Sequence, residues 1–235
     1  MNRTLIMAFL QQRLTSPMRL GLIVLATLFP LGGVAIVGSL SVLNGIAGPL
    51  ALIFAAGAIG QDVSSGTLQL LLVRPVTRPA YLLNRWLAAV IGALGLTLLM
   101  FALGTLALMM RGQPPATSEL MRMTLESTAT ATGNAAIMIM LSTLAGGLGD
   151  VGLYVASLIV LQMLAAVGQI KHWSWFERAI SELQGVLAPQ LSFAWMLQHT
   201  PVSWFALASW ASSITLALAV GIARLNRREL SYAAG

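Results

Sequence analysis

Six stretches of this chain contain no Asp, Glu, Lys, Arg or His: Leu20–Leu40, Val42–Gly60, Trp86–Met110, Asn134–Gly149, Val151–Ile170 and Val202–Ala223. A helix needs about 20 mostly apolar residues to cross the hydrocarbon core of a bilayer. Five of the six reach or approach that length, and Asn134–Gly149 is the short one. A soluble exterior cannot be built around them: 57% of the 235 residues are hydrophobic and only 9% are charged, against about 25% charged in a soluble domain. The pattern predicts an all-α membrane protein, one domain over residues 1–235 with six transmembrane helices. Leu20–Leu40 exceeds the roughly 7–15-residue apolar core of a cleaved leader, and no small-x-small cleavage pattern follows, so it is read as a retained first span. Pro30 and Pro49 fall inside the first two spans and are expected to kink them, which neighbouring helices tolerate.

Charge then sets the orientation. Arg3, Arg13 and Arg19, then Arg74, Arg78 and Arg85, then Arg224, Arg227 and Arg228 fall on one side of the six-span layout. Arg111, Arg122, Lys171 and Arg178 fall on the other, balanced by Glu119, Glu126, Glu177 and Glu182. The arginine-rich side is the expected cytoplasmic one, with both termini there. The net charge of +6 is thus a topology signal. It does not mark a nucleic-acid surface, because the basic residues sit at the ends of apolar runs. No cysteine is present, which excludes disulfides and thiolate metal sites.

Three segments outside the spans carry patterns of their own. The N-terminal arm puts Ile6, Phe9, Leu10 and Leu14 on one helical face, suited to lying on the inner leaflet. Trp175–Leu187, expected outside between spans five and six, gathers Phe176, Ala179, Ile180, Leu183 and Leu187 on one face. That predicts an amphipathic helix, either interfacial or covering its own bundle. The stretch Gln61–Arg85 is a link of 25 residues between spans two and three, where connections commonly run about 2–8 residues. Ser64 and Ser65 are expected to cap a short helix reaching Leu72 or Val73, and Pro75 to end it. Such a helix would carry Leu68, Leu71 and Leu72 on one side.

That link resembles the segment after the second span of type-2 ATP-binding-cassette (ABC) transporter permeases. The residues that carry the likeness are Asp62, four positions before Gly66-Thr67-Leu68, then Leu71-Leu72, then Pro75-Val76-Thr77-Arg78, with Arg85 opening span three. Asp62 stands where Glu is commoner, and Arg85 where Lys is commoner. The resemblance implies a permease subunit that pairs with a second, identical or different, to form the substrate path. It implies a separate ABC ATP-binding subunit that holds ATP and Mg, so this chain needs no cofactor of its own. An accessory protein and a bacterial plasma (inner) membrane fit the same picture. The coupling residues it implies are Asp62, Gly66, Thr67, Leu68, Leu71, Leu72, Arg74, Pro75 and Arg78, with Asp150 in the short turn before span five as a further candidate. The plainer reading of Asp150 is an N-cap for span five.

The residues bear on rival functions independently. A Walker A loop needs Gly-x-x-x-x-Gly-Lys-Ser/Thr, and the only lysine, Lys171, is followed by His172, so ATP hydrolysis is not expected of this chain. His172 and His199 both lie in the external loop, which removes the base of an intramembrane serine protease and the axial ligands of a haem subunit. An ion-driven carrier would hold intramembrane charges. A non-transporting scaffold remains the alternative. Met109, Met110, Met121 and Met123 near the outer end of span three read as packing or as soft Cu(I) ligands.

Overall fold

A computed structural model describes residues 3–65, 77–145, 147–194 and 203–227. Among these every regular element is helical: α1 (Arg3–Thr15), α2 (Pro17–Val37), a 3-10 turn (Leu40–Leu43), α3 (Ala47–Ala55), α4 (Gly60–Ser64), α5 (Arg78–Met110), α6 (Thr117–Leu144), α7 (Gly149–Lys171), α8 (Ser174–Leu187) and α9 (Trp204–Arg227). Five segments are long and apolar enough to cross a membrane: Pro17–Val37, Leu40–Ser64, Arg78–Met110, Gly149–Lys171 and Trp204–Arg227.

The sixth long helix differs from expectation. In place of a short span over Asn134–Gly149, α6 starts at Thr117 and ends at Leu144, and its polar residues keep it outside the apolar five. The reason is its position. It packs against α3, α5 and α9, so Ala131, Ala135, Ala136, Met138 and Ile139 are buried against protein. A helix enclosed by protein does not need the lipid-facing stripe that hydropathy detects. Two indoles fasten it, Trp86 donating to the Thr132 carbonyl and Trp210 to the Ala129 carbonyl, each at 3.1 Å.

The second span is likewise not one helix over Val42–Gly60. It breaks after Ala55, and Gly57 (φ +63°) turns the chain before α4. Pro49 falls in the first turn of α3, where its missing N–H costs nothing, so it does not kink the span; α2 runs unbroken through Pro30. Ser64 and Ser65 end α4; the short helix expected after them, reaching Leu72 or Val73 and ended by Pro75, lies outside the described residues. Gly92 admits a close helix contact: a Cβ there would lie 2.7 Å from the Phe54 ring. At Gly95, one turn on, a Cβ would meet nothing within 4 Å.

The N-terminal arm is a helix, α1, but it lies against the bundle. Ile6 and Phe9 are buried, largely against α5, while Met7 and Leu14 stay exposed. The amphipathic helix expected over Trp175–Leu187 is α8, packed on α7. Its apolar face divides, with Ile180 buried and Leu183 and Val186 exposed.

Candidate functional site at the arginine-bearing end

The break in the second span leaves backbone groups that α3 and α4 cannot satisfy, and inside an apolar bundle such groups must be paired. Four parts of the chain supply partners. Arg13 of α1 donates from Nη1 to the Ala56 carbonyl at 2.6 Å. Arg19 of α2 donates from Nη2 to Gln61 Oε1 at 2.6 Å and reaches the same carbonyl at 3.4 Å. The Gly57 N–H donates to Asp150 Oδ2 at 2.6 Å. The N–H groups of Ile59 and Gly60 share Ser142 Oγ, at 3.0 and 2.9 Å.

Asp150 lies in the first turn of α7, where Leu148 is the cap position, so it is not the N-cap. Its side chain is fully buried. Besides Gly57 it accepts from the Val151 N–H at 2.8 Å, and it sits at the positive end of the α7 dipole. Two backbone donors and that dipole hold a carboxylate that would otherwise be costly to bury.

One turn further on, Asp62 also faces inward. It is 4% exposed, forms an ion pair with Arg85 and accepts a hydrogen bond from the Tyr81 hydroxyl. Arg85 Nε reaches that hydroxyl at 3.1 Å, Tyr81 and Arg85 being one helical turn apart on α5. The Phe9 ring of α1 receives two cations, Arg85 at 4.2 Å and Arg13 at 4.5 Å from its centroid. Burial, with Arg19 and Arg85 close by, lowers Arg13 to about 9, still charged at neutral pH. A cavity of about 180 Å³ lies between α1 and α5, lined by Phe9, Gln12, Asp62, Tyr81, Asn84 and Arg85. Arg78 donates to the Leu225 and Asn226 carbonyls at 3.1 and 2.8 Å, closing the end of α9 as cations do at helix C-termini.

The structure therefore brings Asp62, Arg78 and Asp150 to one end of the bundle, each engaged with the chain itself. Gly66, Thr67, Leu68, Leu71, Leu72, Arg74 and Pro75 lie outside the described residues. Sequence reasoning missed Tyr81 and Ser142, placed Phe9 only on an apolar face, and counted Arg13 and Arg19 only as topology charges. The i, i+4 spacing of Tyr81 and Arg85 was a readable signal. Nothing marks Ser142 within its apolar run. At the other end of α6 a larger cavity, about 490 Å³, is lined by Asn44, Arg122, Glu126, Ser127, Thr130 and Gln190 among others.

An all-helical chain with five bilayer-length apolar helices and a buried polar cluster at one end defines a multi-pass membrane protein. The family profile described as ABC-2 family transporter protein matches residues 5–230. The chain belongs to that family, whose members are the membrane permease subunits of ABC transporters. A search of curated proteins found no match.

Proposed function

We propose that the chain is a six-span permease subunit that works as a pair and is driven by a separate ATP-binding subunit docked on the link 61–85. In this reading α6 is the fourth span, and the arginine-bearing end, with both termini, is cytoplasmic. ATP and Mg reside on the partner, and the membrane is a bacterial inner membrane. The paired subunit is a second copy or a close relative, and an accessory protein completes the system. The observation that carries the reading is where the link joins the bundle. It leaves from α4 and returns at α5 beside the Asp62–Arg85 pair, at an end where Arg13, Arg19 and Asp150 pin the broken span. A link anchored at both ends passes displacement to the spans, where a slack loop would absorb it.

Leu71→Asp tests this. A charge placed in an apolar docking groove costs several kcal/mol, on the order of 2–7 for a buried polar group without a partner. The expected outcome is a permease that inserts normally, loses its ATPase on copurification and stops transporting. Leu183→Asp, on the exposed side of α8, serves as control and should keep the ATPase. Wild-type retention of the ATPase and unimpaired transport in Leu71→Asp would remove the link as the docking element.

A further inference from the structure

The break in the second span and the turn between α6 and α7 touch backbone to backbone. The Gly147 N–H donates to the Gly60 carbonyl at 3.0 Å. A Cβ on Gly60 would stand 2.7 Å from the Ala145 carbonyl oxygen and 2.8 Å from that of Gly147, so no side chain fits between the two turns. Gly57 and Gly147 both adopt the left-handed backbone, φ +63° and +62°, which glycine adopts without strain. The Gly57 bond to Asp150 and the Ile59 and Gly60 bonds to Ser142 close the same seam from both flanks. Asp150 and Ser142 are fully buried.

We infer that these two turns move as one body. Displacement of the link would then be delivered directly to α6 and α7, as well as to the two spans it joins, with Asp150 and Ser142 as the positioning residues. The inference rests on the coupling reading above. Its physical basis is that sliding one turn past the other strands donors in apolar surroundings and leaves the Asp150 carboxylate with one partner fewer. Close-packed interiors pass strain on and do not absorb it. The sequence offered Asp150 as an N-cap or as a second contact to the ATPase. Its place in the seam makes it the pin that carries the ATPase's motion inward.

The chain has no cysteine, so spin labels on introduced cysteines report cleanly. In the permease–ATPase complex in lipid nanodiscs, distances are measured with and without ATP plus vanadate. Ser64→Cys paired with Leu148→Cys spans the seam, and its distance should stay constant. Each of these sites paired with Ile36→Cys, exposed on α2, a span the link does not join, should shift together. Asp150→Asn, which keeps an acceptor oxygen, should preserve the joint shift. Asp150→Leu combined with Ser142→Ala should at least halve the Leu148 response, while the Ser64 response and ATPase retention persist. A Ser64–Leu148 distance that changes as much as Ser64–Ile36 overturns the inference, with or without a folded double variant. So does a full Leu148 response in that variant. If the unsubstituted complex fails to form, or Ser64 does not respond, the coupling reading fails and takes this inference with it, a result recognisably different from a seam that opens.

Discussion

At the scale of single residues, Asp62 and Arg85 carry the sharpest energetic consequence. Removing one partner of a buried ion pair strands the other, at about 3–5 kcal/mol, whereas replacing both by apolar groups is often near neutral. Asp62→Leu and Arg85→Leu alone should therefore each lower the thermal midpoint of the detergent-solubilised protein clearly, and the double substitution should recover most of the loss. Equal losses in all three would contradict the pairing. Arg85→Lys should recover only part, because an ammonium does not reproduce the guanidinium's planar contact with Phe9. Both residues stood out in the sequence, but as separate marks. Their pairing was not legible, because the chain between them runs through the link and no periodicity connects α4 to α5.

Among elements, the broken second span explains why two glycines in similar apolar surroundings should behave oppositely. Gly60→Ala drives a methyl into two carbonyl oxygens and should destabilise by about 1–3 kcal/mol, as overpacking does. Gly95→Ala, inside α5 with nothing within 4 Å, should be neutral or stabilise by roughly 0.5–1 kcal/mol. Melting curves of the two variants, recorded in the same detergent, decide the matter, and a lower midpoint for Gly95→Ala than for Gly60→Ala would count against the seam. The existence and approximate bounds of the long helices α2, α5, α7 and α9 were legible, because a lipid-facing surface must be written in apolar residues. The 3-10 turn, the break at Gly57 and the full length of α6 were not. The break and α6 are set by partners distant in sequence, Ser142 for the one and Trp86 and Trp210 for the other.

For the molecule as a whole, the outer surface decides what surrounds it. Leu25, Leu28, Phe29 and Ile36 of α2 and Met163 and Ile170 of α7 are largely exposed, a surface that only lipid or another apolar chain can cover. The proposed orientation rests on the arginines. An impermeant thiol reagent applied to intact cells should label Thr117→Cys and leave Ser231→Cys unlabelled, and the reverse pattern would invert the topology. The subunit purified alone should hydrolyse no ATP above background, since the chain has no Walker A lysine frame; steady turnover by a contaminant-free preparation would contradict the division of labour with a partner.

The enclosure of α6 reaches back to how the protein is made. A nascent segment enters the bilayer according to its own apolarity, and α6 opens with Glu119, Arg122 and Glu126 among Thr and Ser. On the six-span reading it is a poor client of the insertion machinery by itself. Its buried alanines find their partners only once α3 and α5 are present, so its entry should be joint, with α5 ahead of it across the short connection 111–116. Thr117–Leu144 fused alone between reporter domains should then fail to integrate. The same segment preceded by Arg78–Met110 should integrate, which makes biogenesis the first process to depend on a helix that lipid scarcely touches.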